Sequence, residues 1–325
     1  MALGFNRRRQ EEAPAYEDAV LVRGLRKDFG DFAAVDGIDF SVRRGEIFGF
    51  LGPNGSGKTT TIRMLCGVID PTGGSAEVLG YDVARDSERV KQRIGYMSQK
   101  FSLFEELTVD ENLRFYAGIY GLSDEKFAER RAYVLKMADL EGREGEFTKN
   151  LSVGWKQRLA LGCATIHEPE LLFLDEPTSG VDPIARRQFW ELLYDLASRG
   201  VTLFVTTHYM DEAAHCHRLA FMYEGRLIAE GAPAEVRALM KDTILELSVS
   251  DVDAALSALE DVPGVEPYLN GALLHVNVGL RAEREVDLPA LLAAAGVRTE
   301  SVTQVEPSLE DVFVHLVSAE RAARG

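Results

Sequence analysis

Eight consecutive residues, Gly52 to Thr59, have the types and the spacing of a phosphate-binding loop. They read G-P-N-G-S-G-K-T and match the pattern G-x-x-x-x-G-K-[ST]. Glycine adopts backbone conformations that are closed to residues with a Cβ, so successive N–H groups in such a loop can point at phosphate oxygens. The Lys58 ammonium can then reach the β- and γ-phosphates, and the Thr59 hydroxyl can bind Mg²⁺. The loop therefore predicts a nucleotide site.

The segments on either side of the loop are those that the motif requires. An apolar run at 47–51 is typical of a β-strand, and residues 59–66 are compatible with a helix that stops at Gly67. The N-terminal end of that helix adds positive potential toward a phosphate. Strand, loop and helix together favour this interpretation over an ordinary glycine-rich turn. The predicted nucleotide contacts here are Gly52, Pro53, Asn54, Gly55, Ser56, Gly57, Lys58, Thr59 and Thr60.

A second apolar strand delivers two carboxylates. Residues 171–174 read L-L-F-L and are followed by Asp175 and Glu176. Open α/β sheets bind ligands at the carboxyl ends of their strands. Asp175 suits an Mg²⁺ ligand on the side opposite Thr59, and Glu176 can polarise an attacking water. A solvated carboxylate pair at a strand end is the ordinary alternative, but the apolar strand and the upstream loop favour the catalytic one.

With these motifs in place, the sequence resembles the nucleotide-binding domain of ABC transporters over about residues 19–235. Phe29 resembles the aromatic residue that stacks on adenine. Gln99 resembles the Q-loop glutamine that touches Mg²⁺ and the permease, and His208 resembles the switch histidine. Leu151-Ser152-Val153-Gly154-Trp155 stands where the L-S-G-G-Q signature belongs, and Ser179-Gly180-Val181-Asp182 resembles the D-loop.

This resemblance implies a role for each matching residue. Catalytic roles fall to Glu176, His208 and Lys58, and the Mg²⁺ site is formed by Thr59, Gln99 and Asp175. The further nucleotide contacts are Phe29, Gln99, Ser152, Gly154, Trp155 and Asp182. ATP and Mg²⁺ are therefore the expected ligands.

The signature departs from the family pattern at two positions, with Val153 in place of glycine and Trp155 in place of glutamine. One interpretation is a working site with altered ribose contacts, in which Trp155 packs on the sugar. The other is an impaired signature, in which a heteromeric partner supplies one good site and leaves one poor one. Both stay open at the level of the sequence.

The signature sequence also predicts that a second chain contributes to each nucleotide site. Ser152 precedes a helix, so its hydroxyl and the following N–H groups form an anion site. Because the loop of the same chain already occupies one side of the nucleotide, this helix is useful only on a nucleotide bound by another copy. We therefore expect two ATP molecules between two ATP-binding subunits, with a homodimer favoured.

The pattern is closest to ATPase subunits of drug- and polysaccharide-export systems, in which one chain carries one ATPase domain and ends in a small domain containing Ser308-Leu309-Glu310-Asp311-Val312-Phe313. This resemblance implies a separately encoded membrane permease as partner, a peripheral position on the cytoplasmic face of the cell membrane, and ATP hydrolysis coupled to transport of a drug or another small molecule. Exposed aromatics at Phe101 and Phe104 would suit a groove for a permease helix, although packing of the helical subdomain explains them equally well.

The predicted fold class is α/β, a P-loop NTPase of the ABC type with an inserted helical subdomain, followed by a small α+β domain. Residues 1–17 read as a flexible tail, 18–240 as the nucleotide-binding domain with the helical subdomain at about 103–166, and 241–325 as the accessory domain. The order βαββαβ after residue 242 suggests a ferredoxin-like fold, with Asn270-Gly271 as a hairpin turn.

Composition narrows the alternatives. The net charge is −16, from 36 basic and 52 acidic residues, which argues against a nucleic-acid partner. We see no apolar segment of the roughly 20 residues that a membrane-spanning helix needs.

A translation or DNA-repair ATPase of the same class would carry a second phosphate loop or long heptads, and neither is found in this sequence. A nucleotide-gated regulator with little hydrolysis is the third hypothesis, motivated by Val153 and Trp155.

Overall fold

A computed structural model describes residues 18–270, 273–279 and 286–324. The chain divides into two units, Met1–Leu227 and Ile228–Gly325. The predicted tail at 1–17 and the turn residue Gly271 lie outside the described residues.

An antiparallel sheet opens the first unit. Its strands are β1 (Asp18–Phe29), β2 (Phe32–Arg43), β4 (Gly73–Val78) and β5 (Tyr81–Asp82). They lie in the order β2-β1-β4-β5. In β2, buried and more exposed residues alternate around Phe40, as expected for a strand with one covered face.

A second sheet positions the motifs. Its strands are β3 (Ile47–Leu51), β6 (Ile94–Met97), β7 (Leu171–Asp175), β8 (Thr202–Thr207), β9 (Arg218–Tyr223) and β10 (Arg226–Gly231). They lie in the order β10-β9-β3-β8-β7-β6, and the pairs from β9 to β6 are parallel. Strands β3, β7 and β8 are buried at every position because both faces of a parallel sheet are covered.

Side chains of the middle strands alternate between two cores. Phe48, Phe173 and Phe204 face the core shared with the antiparallel sheet. Leu172 and Leu203 face the other core, which contains residues of the flanking helices. Helices of the first unit outside the helical subdomain are α1 (Lys58–Leu65), α2 (Ser87–Arg93) and α6 (Pro183–Ser198).

The helical subdomain lies between β6 and β7 in the chain, as predicted. It consists of α3 (Val109–Ile119), α4 (Asp124–Met137) and α5 (Val153–Thr165), which share a core of their own. The predicted capping box is present at the start of α3, where Glu111 N donates to Thr108 Oγ1 and Thr108 N donates to Glu111 Oε2. Ser123 caps α4 by accepting a hydrogen bond from Lys126 N.

The second unit contains a four-stranded antiparallel sheet in the order β12-β13-β11-β14. Its elements are α7 (Pro233–Arg237), β11 (Thr243–Val249), α8 (Val252–Leu259), β12 (Val265–Asn270), β13 (Leu273–Val278), α9 (Leu288–Ala294), β14 (Thr299–Val305) and α10 (Leu309–Arg324). From β11 to β14 this is the predicted βαββαβ order, so the predicted fold class is confirmed. The domain boundary after residue 240 stays a prediction.

Phe204 joins the two sheets of the first unit. Its ring lies 6.0 Å from that of Phe40 on the antiparallel sheet, and 5.2 Å and 5.4 Å from those of Phe50 and Phe173 on the parallel sheet.

Phe204→Ala leaves a cavity at this junction and is expected to lower the free energy of unfolding by about 3–5 kcal/mol, measured by chemical denaturation. Ile119→Ala is the control, because that side chain is 62% exposed; it is expected to change stability by less than about 0.5 kcal/mol. Equal effects of the two changes would contradict this role.

Candidate functional site

The carboxyl ends of four neighbouring strands meet at one edge of the parallel sheet. The register places Leu51 beside Thr207, Asp175 beside Thr206, and Met97 beside Leu174. Parallel strands all end at the same edge, so the segments that follow them must converge there. Those segments carry the glycine loop, Glu176, His208 and Gln99, which are far apart in the chain.

The glycine loop passes very close to the neighbouring backbone. Gly57, which caps α1, has φ +112°, and a Cβ built on it would lie 2.4 Å from the carbonyl oxygen of Ala34. A Cβ on Gly52 would lie 2.1 Å from the carbonyl oxygen of Met222. Glycine at these two positions is therefore required by close backbone approach as well as by conformation.

Lys58 is buried at the start of α1, with 4% of its surface exposed. Its Nζ donates hydrogen bonds to the carbonyl oxygens of Gly52, at 2.7 Å, and Pro53, at 3.0 Å. The same nitrogen lies 3.3 Å from Glu176 Oε1. Burial lowers the pKa of Lys58 below its ordinary value, and the Glu176 carboxylate acts in the opposite direction.

Glu176 is the point at which the predicted catalytic residues meet. Besides Lys58, its carboxylate contacts Gln99, whose Nε2 donates to Oε2 at 3.0 Å, and His208, whose Nδ1 lies 3.2 Å from Oε2. Glu176 is itself only 6% exposed. Lys58, Gln99 and His208, which follow strands β3, β6 and β8, therefore share one buried carboxylate.

The backbone of Glu176 is in a left-handed conformation, with φ +46°. This is uncommon for a residue with a Cβ and is found at functional sites when neighbouring contacts impose it. Here the amide of Glu176 donates to Thr206 Oγ1 at 2.9 Å and to the Thr206 carbonyl at 3.1 Å. Two residues later, Thr178 Oγ1 donates to the buried carboxylate of Glu212 at 2.6 Å. Gln157 Nε2, on α5, donates to the Pro177 carbonyl.

Asp175 and Thr59 lie together, as a shared metal site requires. Thr59 Oγ1 donates to Asp175 Oδ1 at 3.2 Å, and Thr206 Oγ1 donates to the same oxygen at 2.7 Å. Burial raises the pKa of Asp175, while the hydrogen bonds from Thr206 and Thr59 lower it. A carboxylate and a hydroxyl oxygen are ligands that Mg²⁺ accepts, so the chemistry of this pair fits the ion.

A cavity of about 390 Å³ lies over the loop. The predicted contacts that line it are Phe29, Asn54, Gly55, Gly57, Lys58, Thr59, Thr60 and Gln99, and Glu176 lines it as well. Phe32, which is 63% exposed, and Ala34 also line it, and our sequence analysis did not identify them. No local pattern in the sequence marks these two residues, because their place at the cavity depends on the fold. Gly52, Pro53 and Ser56 are not among the lining residues.

The signature residues line a different cavity, of about 370 Å³. Ser152 caps α5 without a side-chain hydrogen bond to that helix, and Asp182 caps α6 by accepting from Ile184 N and Ala185 N. The predicted contacts in this cavity are Ser152, Gly154, Trp155 and Asp182. The structure therefore separates these four residues from the glycine loop within one chain.

Trp155 lies against two cations. The guanidinium carbons of Arg143 and Arg158 are 4.3 Å and 5.3 Å from its ring centroid. Arg158 also lines the signature cavity, where Nη2 donates to Gln188 Oε1 at 3.0 Å. The ring is thus engaged within its own chain, and its packing on a sugar stays a prediction.

No helix among the described residues is long and apolar enough to cross a membrane. The aromatic residues after Gln99 differ in exposure. Phe101 is partly buried against the core of the parallel sheet, whereas Phe104 is 45% exposed and its ring lies 4.5 Å from that of Phe115, which is 42% exposed.

Comparison with protein families gives three matches, of which two together cover most of the chain. Residues 35–179 match the family described as "ABC transporter". Residues 231–317 match the family described as "ATP-binding protein DrrA1-3-like, C-terminal domain". A third match, to "AAA domain, putative AbiEii toxin, Type IV TA system", spans residues 150–210.

Two curated relatives illustrate the range of similarity. The chain is 50% identical over 222 residues to the probable multidrug ABC transporter ATP-binding protein YbhF of Escherichia coli (strain K12), which covers 68% of this chain and 38% of that protein. The chain thus spans about two fifths of the length of that relative. It is 35% identical over 311 residues to the daunorubicin resistance ATP-binding protein DrrA3 of Streptomyces coeruleorubidus, covering 95% of this chain and 98% of that one.

Solved structures show the same cassette. The chain is similar to cbiO1 from Clostridium perfringens, described as part of the ABC transporter complex cbiONQ, with a TM-score of 0.64, 30% identity, and coverage of 69% of this chain and 92% of that one. A dimeric, post-hydrolysis ATP-binding cassette bound to ADP and Pi has a TM-score of 0.60, 26% identity, and coverage of 66% of this chain and 98% of that one.

The Thr206 hydroxyl links Asp175 to Glu176, because it donates to the Asp175 carboxylate and accepts from the Glu176 amide. Thr206→Val removes both hydrogen bonds, so we expect Mg²⁺ affinity in the presence of ATP to fall about 10- to 100-fold, as for other residues that orient a metal ligand. Thr202→Val is the control, because this buried hydroxyl accepts from Gly45 N at the other end of β8. Mg²⁺ titration of the two variants measures the effect, and equal affinities would contradict it.

Proposed function

This chain belongs to the ATP-binding subunits of ABC transporters, and from that membership we propose that it binds and hydrolyses ATP to drive export through a separately encoded membrane permease. The observation that carries the proposal is the buried Glu176 carboxylate, shared by Lys58, Gln99 and His208 at the cavity over the glycine loop. A merely structural ion pair would not need three polar partners from three strand ends beside a cavity.

The reaction begins with a competition for Lys58. In the structure its ammonium neutralises Glu176 and donates to two loop carbonyls. The phosphates of ATP are stronger partners for that ammonium, because ion pairs with phosphate outweigh hydrogen bonds to neutral carbonyls. When Lys58 turns to them, Glu176 loses its counter-charge and becomes available to orient a water molecule and accept its proton. His208, on the same carboxylate, senses that change and contacts the γ-phosphate.

Mg²⁺ is the proposed metal, with Thr59, Asp175 and Gln99 as its protein partners. Bound with ATP, it supplies charge neutralisation at the phosphates. Thr206 fixes the Asp175 carboxylate, and Gln99 connects this region to Glu176. Phosphoryl transfer needs positioning and charge more than covalent help, and these residues supply both on one side of the nucleotide.

Two chains complete each site. The cavity over the loop and the cavity lined by Ser152, Gly154 and Asp182 share no lining residue. A nucleotide in the first cavity therefore meets the signature residues only of another copy. We take the partner to be a second copy of this chain, and the similarity to a dimeric cassette bound to ADP and Pi supports this arrangement.

The permease docks on the helical subdomain in this proposal. Phe104 and Phe115 form an exposed aromatic pair shortly after Gln99 in the chain, so a permease helix seated on the pair lies near the segment that follows β6. The protein would then work at the cytoplasmic face of the membrane. Relatives named for multidrug transport and for daunorubicin resistance support a drug or another small molecule as the exported substrate.

Glu176→Gln is the direct test of hydrolysis. This change keeps the side-chain shape but removes the base, so we expect ATP to bind while turnover falls by at least about 100-fold. The variant saturated with ATP and Mg²⁺ is expected to run at twice the monomer mass in light scattering. Glu170→Gln is the matched control at the other end of β7, where Glu170 pairs with Arg44, and it should hydrolyse normally. Wild-type turnover of Glu176→Gln, or a persistent monomer, would contradict the proposal.

The docking surface has a separate test. The double change Phe104→Ala with Phe115→Ala removes the exposed aromatic pair, and we expect the chain to lose co-purification with its permease while the isolated chain keeps its ATPase rate. Val68→Ala is the control, since Val68 is 57% exposed elsewhere on the first unit. Unchanged co-purification of the double variant would place the permease on another surface.

A further inference from the structure

Strand β14 is the outer strand of the sheet in the second unit. It pairs on one side with β11, in a register that runs from Ile244 opposite Val305 to Val249 opposite Thr299. Among the described residues, no strand pairs with its other side. Alternate residues of such an edge strand direct their N–H and C=O groups away from the sheet, where a further strand can bind.

This edge is exposed and has few of the features that normally prevent strand addition. Residues 300–304 are all exposed, and Val302 is 41% exposed. The opposite edge strand, β12, contains Pro267, which lacks an N–H and so discourages pairing. Strand β14 has neither proline nor lysine and carries a single charge, on Glu300, among β-branched residues that favour extended structure.

The sequence of β14 is complementary to itself. A two-fold axis perpendicular to the sheet and centred on Val302 pairs all seven residues of the strand with a second, antiparallel copy. In this register Val302 faces Val302, and Ser301 faces Thr303. Glu300 faces Gln304, whose amide can donate to the carboxylate, so the two like charges do not meet.

We propose that two copies of this chain pair edge to edge through β14 and join their four-stranded sheets into one. This contact differs from the ATP sandwich, because it uses no residue of either nucleotide cavity and needs no nucleotide. A single strand pair is smaller than the roughly 1,200 Å² of a standard stable interface, so the pairing is weak alone. Its effect is to raise the effective concentration of one ATP-binding domain near the other between cycles.

A cysteine at the axis tests the register. Val302→Cys in the nucleotide-free full chain places two thiols on directly opposite residues, whose Cα atoms in an antiparallel pair are about 4.5–5.5 Å apart, within the span of a disulfide. The native Cys66, Cys163 and Cys216 are buried, so little cross-linking through these three thiols is expected. We expect a disulfide-linked dimer under mild oxidation.

Matched positions separate pairing from random collision. Ser301→Cys or Thr303→Cys alone puts the two thiols on residues that are not opposite each other, so little cross-linking is expected, whereas an equal mixture of these two variants should cross-link. The proposal is overturned if all single variants cross-link alike, or if Val302→Cys does not cross-link at all.

Charge at residue 304 gives a second measurement. Gln304→Glu places one negative charge across from each Glu300, and Gln304→Lys places one positive charge there. Because the axis repeats each pair, we expect the dimer Kd of the nucleotide-free chain in sedimentation velocity to rise or fall, respectively, by about 2- to 30-fold. Shifts in the same direction, or none, overturn the pairing. The ATP sandwich is tested by the gain in mass of Glu176→Gln when ATP and Mg²⁺ are added, and its failure would leave the Val302→Cys result in the nucleotide-free chain unaffected.

Discussion

The contact between the Lys58 ammonium and the Glu176 carboxylate is the interaction on which the site of this protein depends. Both groups are almost completely buried, and their charged atoms lie 3.3 Å apart. A buried charge without a partner is strongly destabilising, so each of these residues requires the other while no nucleotide is bound. The pair therefore stabilises both charges, and in the proposed reaction a phosphate of ATP replaces Glu176 as the partner of Lys58.

The parallel sheet makes this pairing possible. Lys58 follows β3 and Glu176 follows β7, and β8 lies between these strands. Thr206, near the end of β8, bonds both Asp175 and the amide of Glu176, so the middle strand fixes the two carboxylates relative to the loop. The left-handed backbone at Glu176 is stabilised by the same threonine. Strand order, more than any single side chain, brings the reacting groups together.

The chain also contains two separate cavities, which in the proposed dimer form the two halves of a nucleotide site. One cavity carries the glycine loop and the other carries Ser152 and Asp182. Gln157, which follows the signature on α5, bonds the Pro177 carbonyl beside Glu176. Helix α5 of a chain is thus connected to the turn that carries Glu176, and in the proposed dimer this contact links one site of the pair to the other.

Several features of this protein follow from the sequence alone, because they depend on local chemistry. The glycine loop, the carboxylates at 175 and 176, and the caps at Thr108, Ser123 and Asp182 are set by residues close together in the chain. The βαββαβ order of the second unit is likewise visible in the periodicity of apolar residues. Resemblance to a known family supplied Gln99 and His208.

Other features depend on residues that only folding brings together. The roles of Thr206 and Phe32 arise from strand order and from exposure on an edge, which no local pattern encodes. The engagement of Trp155 by Arg143 and Arg158, and the absence of Ser56 from the residues lining the cavity, required the packed structure. The sequence determined which chemistry this chain could perform, and the tertiary structure decided which residues meet, because contacts between distant segments are set by sheet order and packing.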